Sequence, residues 1–462
     1  MNRAMNSPGV AAERTGPKIL RHAHDLLRLA WPVMLSRAGI LVMAFVDIAM
    51  LGRYGLGAPG IAGLGLAIFV PVMVIAIGLV SGMVPVIARA HGAGEWAECG
   101  RAWRRAMSWG TFVSLIGIWL VWQGETLLGW LDYPPEMAAA GGAVARALAP
   151  GVLAQVLFAA CAFYLEATRR PLFSLGAMVV ANIVNAALNW VMIFGHLGWP
   201  EMGAVGASLA STIARFAALG LMVWFILRQP DPRGAGVAGP WETAWGPGGW
   251  RAGYPMRRLG LAAGLSNGFE TVGFAAMMMI AGTLGTAALD AYSISHNLVA
   301  TVFMIGLGLS VATGVRVGAA AGAGDAGETA VAGWTGLLVA LAIMGALAAL
   351  VLAFRHQIVL AYTDVPELAA RATGVFLFSA LIFVPDTLQV VLGQAVRALG
   401  DAWVPVAAYV ASFVVLMVPL GLWLTGPGGW DERGLVVAIV AACALATVLL
   451  AWRFRVLTRL PA

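Results

Sequence analysis

Residues 27–51 read LRLAWPVMLSRAGILVMAFVDIAML, and this stretch decides the kind of fold. Most of its side chains are apolar, and at ~1.5 Å per residue a helix of this length crosses the ~30 Å hydrocarbon core of a bilayer. Asp47 lies inside the apolar part. A carboxylate at that depth is costly, so it predicts a functional site rather than an ordinary surface charge.

Further apolar runs of similar length follow, and together they set the fold class. The chain of 462 residues is 61% hydrophobic and 11% charged, with a mean hydropathy of +0.86, which is unlike a soluble domain. The short alternating segments of a β-barrel are not visible in it. The sequence therefore predicts an all-α polytopic membrane protein with twelve transmembrane helices. The predicted spans lie near 27–51, 60–86, 107–131, 138–164, 172–195, 203–227, 258–282, 290–315, 332–353, 368–393, 403–425 and 434–453.

Positive charges are distributed unevenly between the predicted loops. With the N-terminus inside, 21 of the 28 Lys and Arg residues fall in inside segments, 4 in outside loops and 3 within spans. Because basic loops stay on the cytoplasmic side, this bias predicts that both termini are cytoplasmic, in a bacterial-type cytoplasmic (inner) membrane. The net charge of +6 then reflects topology, and no nucleic-acid partner is needed to explain it.

A segment rich in Gly and Pro, 228–257, interrupts the apolar pattern after the sixth span. That composition is typical of a connector between structured units. It divides the chain into an amino-terminal lobe, 1–227, the cytoplasmic linker 228–257, and a carboxyl-terminal lobe, 258–462.

Landmarks of the first half recur in the second half at an offset of 230 or 231 residues. Because six spans per half is an even number, both halves have the same orientation in the membrane. The pattern predicts a parallel pseudo-two-fold repeat, an arrangement of some secondary transporters that bind substrate between their halves and work by alternating access. The matched landmarks are Gly52 and Gly282, 92–94 and 322–324, Glu98 and Glu328, and Gly203 and Gly434.

Polar side chains follow helical spacing in two spans of the amino-terminal half. Asn182, Asn185 and Asn189 recur in span 5, and Ser211 lies in span 6. Interhelical hydrogen bonding is the ordinary use of such residues in membranes. A buried Asp47 needs hydrogen-bond donors, or a cation with neutral oxygen ligands, so a site around Asp47 is an equal alternative.

Two more carboxylates, Glu270 in span 7 and Asp386 in span 10, lie within apolar runs of the carboxyl-terminal half. Asn267 shares a helix face with Glu270, and Gln389 shares one with Asp386. Each carboxylate either carries a proton or holds Na⁺ with oxygen neighbours, unless it is a paired structural charge. The sequence leaves the coupling ion open and indicates no other cofactor.

Several motifs in order give the chain a family resemblance over nearly its whole length. It resembles the multidrug and toxic compound extrusion (MATE) transporters, in particular the NorM-like branch. The resemblance implies a V-shaped pair of six-helix lobes and efflux of large, often cationic compounds in exchange for Na⁺ or H⁺. The motifs are 45–47 through Gly52, 84–86 through 92–94, 267–270, 295–297, 316–318, 322–324 and 385–389.

The resemblance also implies roles for individual residues. Asp47 belongs to an amino-lobe cation site, with Asn185, Asn189 and Ser211 as companions. The carboxyl-lobe acidic pair of the NorM-like branch matches Glu270 and Asp386, which we expect to couple cation binding to drug export. Some branches carry Asp where this chain has Asn189, and Thr is frequent where it has Ser211. The amino-lobe site therefore has one carboxylate, and the ion stoichiometry of other branches does not carry over.

The substrate cleft is expected to combine polar and adaptable apolar side chains, as Met and aromatic residues allow. Helix packing or lipid contact is the alternative for these side chains. Since the cleft lies within one chain, we expect a monomer that binds small organic substrates in the lipid bilayer. The cleft candidates are Asn267, Asn297, Gln389, Phe269 and Met278.

Three other functions compete with drug export. A flippase for lipid-linked precursors or polysaccharides has a related architecture, but its cleft should carry several basic residues for pyrophosphate. Only Arg37, Arg146 and Arg215 fall within spans here, and Arg37 and Arg215 are expected to neutralise a carboxylate or to snorkel. A channel or receptor is another alternative, but a two-fold repeat with acidic residues in both halves fits alternating access better. An enzyme is not expected, because no nucleophile–base or metal motif is present.

Overall fold

A computed structural model describes residues 15–55, 57–239, 242–363 and 365–459. Within these ranges all regular structure is helical, so the predicted all-α class is confirmed. Arg3 and Arg14, which count toward the predicted charge bias, lie outside the described residues.

Twelve long helices make up the part of the chain that the structure describes. Each overlaps one predicted span, and most extend beyond the predicted ends of that span. The helices are α1 Thr15–Tyr54, α2 Ala58–Gly92, α3 Trp96–Trp122, α4 Pro135–Ala167, α5 Leu172–Phe194, α6 Gly203–Leu227, α7 Tyr254–Thr283, α8 Thr286–Gly322, α9 Ala326–Leu360, α10 Pro366–Ala398, α11 Trp403–Thr425 and α12 Asp431–Arg459.

Ten of the described helices are long and apolar enough, each on its own, to cross a membrane. An eleventh span results if α3 is joined to the short helix Gly124–Trp130, from which it is bent by 53°. The remaining helix, α7, has 30 residues but carries Asn267 and Glu270, which lower its mean hydropathy.

Helix packing repeats in the two lobes and supports the predicted two-fold relation. In the first lobe α4 packs against α2, α3 and α6. In the second lobe α10, its counterpart, packs against α8, α9 and α12. The outer pairs α1–α5 and α7–α11 also correspond.

Between the lobes, α1 packs against α8, and α2 against α7, which are again equivalent pairs. Gly82 on α2 and Gly260 on α7 approach so closely that a Cβ on either would overlap the other helix's backbone. Further toward the end of α2, Arg89 Nε donates to the carbonyl of Ala398 at 2.7 Å. Arg316 on α8 donates to the carbonyl of His22 on α1. These contacts close the space between the lobes at one end of the molecule.

The connector between the lobes folds back onto α3. Arg105 Nε donates to the carbonyl of Ala244 at 2.5 Å, and Arg104 Nη1 to that of Gly239 at 3.2 Å. Since α6 ends at Leu227 and α7 begins at Tyr254, the first turn of α7 falls inside the predicted linker. The basic face of α3 therefore fixes the connector beside the end at which the lobes meet.

Candidate functional site

A polar cluster inside the first lobe surrounds Asp47 on α1. Asn185 and Asn189 of α5 donate from Nδ2 to Asp47 Oδ1 at 3.0 Å and 2.6 Å. Ser211 of α6 donates to Asp47 Oδ2 at 2.6 Å and accepts from Asn185 Nδ2 at 3.0 Å. Asn185 and Asn189 are completely buried. The structure thus brings together the four residues that the family resemblance groups in the amino lobe.

Local sequence explains how these side chains meet. Asn185 and Asn189 are four residues apart and therefore lie on one face of α5. One turn earlier, Asn182 donates instead to the carbonyl of Gly39 on α1 at 3.1 Å. A Cβ at Gly39 would overlap the side chain of Met178, so glycine there lets α5 approach α1 closely.

The neighbours of Asp47 in the amino-lobe cluster are hydrogen-bond donors. All three neighbours donate to Asp47, and hydrogen-bond donors stabilise the ionised form. Asn189 Oδ1 is buried and has no hydrogen-bond partner among the described residues. This unused acceptor could receive a hydrogen bond from a protonated Asp47, or coordinate a cation.

Two arginines that fall within predicted spans of the first lobe, Arg37 and Arg215, contact different groups in the structure. Arg37 donates from Nη2 to both oxygens of Glu166, at 3.2 Å and 3.3 Å. Arg215 lies over the ring of Phe69, with its guanidinium carbon 4.9 Å from the ring centroid. The sequence predicted a neutralising role for Arg37 but did not indicate Glu166, which ends α4 just before a basic loop and therefore resembles an interfacial charge.

The second lobe holds an acidic pair joined by an amide. Gln389 donates from Nε2 to Glu270 Oε1 at 3.0 Å and to Asp386 Oδ1 at 3.4 Å. Asp386 is 4% exposed and Gln389 fully buried. Pro385 precedes Asp386, and its carbonyl accepts from Thr447 of α12 at 3.0 Å. Carboxylates from two helices thus converge on one side chain, where an added cation or proton would offset their mutual repulsion.

Three further residues lie around the acidic pair, and the sequence did not indicate a role for them at the site. Cys443 of α12 donates from Sγ to Asp386 Oδ1 at 3.6 Å. Tyr409 of α11 is buried, and Arg397 of α10 lies over its ring, with the guanidinium carbon 5.9 Å from the centroid. Cysteine and tyrosine are common in apolar helices, so only their three-dimensional positions reveal the association.

The predicted cleft residues make different local contacts in this structure. Asn267 lies at the α2–α7 contact beside Gly78, whereas Asn297 accepts from the hydroxyl of Tyr362 at 3.0 Å. Phe269 packs against Leu259, Ala262, Ala402 and Val406, and Met278 accepts from the hydroxyl of Ser293 at 3.6 Å. Of the cleft candidates, Gln389 is the one that contacts the acidic pair, and a substrate-binding role for the set stays a prediction.

Among the described residues, neither polar cluster has the ligand set of a transition-metal centre. The described residues contain no group of three or more His, Cys, Asp or Glu side chains arranged to hold a metal ion. The polar clusters are instead built mainly on carboxylate and amide groups, joined by the Ser211 hydroxyl in the first lobe and the Cys443 thiol in the second. Their oxygen atoms suit a hard cation or a proton.

A family model with the description MatE matches the chain twice, over residues 32–191 and 262–423. The second match begins 230 residues after the first (32 to 262), which is the offset of the internal landmarks. The two matched regions contain Asp47, Glu270 and Asp386. The repeat detected from glycines and acidic residues is therefore a duplication of the same family unit.

Similar proteins cover almost the whole chain. A probable multidrug resistance protein NorM of Caulobacter vibrioides is 34% identical over 453 residues, which is 96% of this chain and 94% of that protein. The multidrug resistance protein PmpM of Pseudomonas aeruginosa is 29% identical, over 97% of this chain and 94% of that protein.

Solved structures show the same fold at lower identity. A eukaryotic MATE transporter superposes with a TM-score of 0.86 at 16% identity, covering 96% of this chain and 98% of that chain. A multidrug resistance MATE family transporter of the MOP superfamily, in an outward-facing conformation, superposes with a TM-score of 0.81 at 18% identity, covering 99% and 100%. The two-lobe arrangement of twelve helices is thus common to all three proteins.

Proposed function

The chain belongs to the MatE family, whose members are membrane transporters and not enzymes, and from this premise we propose that it is a multidrug efflux antiporter. It exports organic, often cationic compounds in exchange for Na⁺ or H⁺ and works by alternating access. Each chain acts as a monomer in the bacterial inner membrane, because both polar clusters lie within one chain.

The acidic pair Glu270–Asp386 carries this proposal. Two carboxylates bridged by Gln389 within apolar helices attract a cation strongly, since the field of a charge is poorly screened away from water. An organic cation that approaches the same charges competes with the coupling ion. Exchange follows if the ion and the drug differ in their affinity for the two conformations.

Alternating access is supported by the uneven contacts between the lobes. The lobes meet at the end that carries Arg89 and Arg316, through hydrogen bonds to Ala398 and His22. If basic residues mark the cytoplasmic side, this conformation is closed to the cytoplasm and both termini are cytoplasmic. The opposite, inward-facing state requires these contacts to break.

The experiment that tests the proposal is ethidium efflux from proteoliposomes, driven in turn by an imposed Na⁺ gradient and an imposed pH gradient. We expect efflux with one of the two gradients, which identifies the coupling ion. Efflux with neither gradient, by protein that remains monodisperse, would contradict drug export. Such a result would favour a dedicated solute or a lipid-linked precursor as substrate.

Substitution of the acidic residues tests the site. We expect Glu270→Gln and Asp386→Asn each to reduce gradient-driven efflux about tenfold or more, since ~1.4 kcal/mol of lost interaction gives a factor of ten. Asp47→Asn should also impair efflux if the amino-lobe cluster takes part in coupling. Asp290→Asn is the matched control, because this acid on α8 is exposed. Efflux at the native rate in all three variants would contradict the assignment.

A further inference from the structure

One buried charge beside the acidic pair forms no ion pair with any other residue that the structure describes. Arg397 lies in the last turn of α10 and is 5% exposed. Its Nε and Nη2 atoms are buried without a hydrogen-bond partner among the described residues. An arginine in the last turn of a spanning helix normally extends to the aqueous interface. Arg397 does not, so its position needs another explanation.

The Arg397 side chain extends along α10 past Gly393, in the direction of the acids. A Cβ at Gly393 would lie 3.7 Å from Arg397 Nη1 and 3.6 Å from the hydroxyl oxygen of Tyr409. Helical side chains lean toward the N-terminus of their helix, which is here the direction of Gln389 and Asp386. The spacing 386, 389, 393, 397 keeps all four residues on one face.

The charged and titratable groups around this face come from four helices. Asp386 lies on the same helix as Arg397, Glu270 on α7, Tyr409 on α11 and Cys443 on α12. The guanidinium interacts electrostatically with Glu270. No ion pair to either acid is formed in the described structure, and the guanidinium instead lies over the Tyr409 ring. It is thus held close to the acids without occupying their oxygens.

We propose that Arg397 is a resident counter-ion of the Glu270–Asp386 pair, which limits this site to one monovalent coupling cation per cycle. The inference rests on the proposed antiport function. Two carboxylates and one guanidinium leave one net negative charge, which a single Na⁺ or H⁺ neutralises. When that cation leaves, the guanidinium moves from the Tyr409 ring toward the carboxylates and keeps the empty site from carrying two unscreened charges.

The number of coupling ions exchanged per substrate tests this proposal. It is measured in proteoliposomes with tetraphenylphosphonium as substrate and a coupling-ion gradient of known size. The steady-state substrate gradient rises as a power of the ion gradient, and that power is the number of ions exchanged. We expect Arg397→Gln to exchange one more ion per substrate than the native protein. Arg397→Lys keeps the charge and should keep the native number. Arg453→Gln is the control, since Arg453 on α12 pairs with Asp401 outside this site.

A purely structural role would reduce transport or yield in the Gln and Lys variants alike and leave the ion number unchanged. That result, or an unchanged ion number in an active Arg397→Gln, would overturn the proposal. Absence of any gradient-driven transport by the native protein would instead refute the antiport function, and the two failures are therefore distinguishable.

A second measurement needs no turnover and applies if Arg397→Gln folds but does not transport. The number of bound ²²Na⁺ ions and of protons taken up is counted on purified protein in detergent. The double variant Glu270→Gln/Arg397→Gln restores one net negative charge and should bind one cation more than Glu270→Gln alone. Equal binding by these two variants would overturn the role of Arg397 as a counter-ion.

Discussion

The most deeply buried ion pair among the described residues links Arg37 and Glu166 inside the first lobe. Their side chains are 12% and 1% exposed, and Phe163 lies under the guanidinium at 5.4 Å. Removing two charges from water costs several kcal/mol each, so the pair is tolerated because each charge compensates the other. This pair is separate from the Asp47 cluster and fixes α1 to the end of α4.

Breaking this pair should destabilise the protein strongly. Glu166→Gln leaves Arg37 buried without a countercharge, at a cost of about 3–5 kcal/mol. The double variant Arg37→Met/Glu166→Met should recover most of that loss, because it removes both charges. Thermal unfolding of the purified proteins in detergent measures the effect.

The control for this prediction is the exposed pair Arg146–Glu125, whose side chains are 38% and 48% exposed at 2.9 Å. Pairs of this kind contribute ~0–1 kcal/mol, so Glu125→Gln should change the unfolding temperature little. Equal destabilisation by Glu166→Gln and Glu125→Gln would contradict the importance of burial.

At the residue scale, the sequence reveals a functional residue when its polarity differs from that of its neighbours along the chain. Asp47, Glu270 and Asp386 were predicted because an acid in an apolar run is rare and costly. The companions Asn185 and Asn189 came from the family resemblance combined with helical spacing. Residues with an ordinary local explanation were missed. Arg397 and Glu166 occupy last turns of helices, where charges normally face water, and Cys443 resembles any packed thiol.

At the scale of helices, glycine governs the contact between α2 and α7. Gly82 separates the two helical segments of α2, Ala58–Ser81 and Met83–Gly92, and faces Gly260 without any intervening side chain. Since a Cβ on either residue would overlap backbone atoms, the contact requires glycine on both helices. It closes the lobes together at one end.

We therefore expect Gly82→Ala to separate the lobes at this end. Overpacking costs about 1–3 kcal/mol, enough to shift a two-state equilibrium about tenfold. Gly63→Ala is the matched control on the same helix, because its Cβ would meet nothing within 4 Å. Spin labels at Glu95 and Ala326 report the distance between the lobe ends. A longer mean distance is expected only for Gly82→Ala, and identical distance distributions in the two variants would contradict the proposed contact.

The helices themselves were predictable as apolar runs, but their ends were not. Span 8 was predicted over 290–315, whereas α8 runs Thr286–Gly322. Hydropathy reports the part inside hydrocarbon, while hydrogen bonding continues a helix into water until a cap ends it. The π-helical stretch Val410–Leu416 in α11, which packs against α7 and α12, gave no sequence signal.

At the scale of the whole molecule, the two lobes share one fold but differ in the number of carboxylates and hydrogen-bond donors in their polar clusters. In the first lobe one carboxylate, Asp47, is satisfied by three neutral donors. In the second lobe two carboxylates, Glu270 and Asp386, share one amide donor. The symmetry was predictable from landmarks at constant offset. The difference between the sites was only partly predictable, because it depends on which side chains meet across helices.

The charge bias of the loops also predicts the orientation of both lobes in the membrane. We expect Arg233→Cys, in the connector, to react with a membrane-impermeant maleimide only after cells are permeabilised, and Glu136→Cys, at the start of α4, to react in intact cells. Both positions are exposed, and the native Cys99, Cys161 and Cys443 are buried and give a low background. The unsubstituted protein is the control. The reverse pattern would place Arg89 and Arg316 on the outer side, and this closed end would then make the structure the inward-facing state.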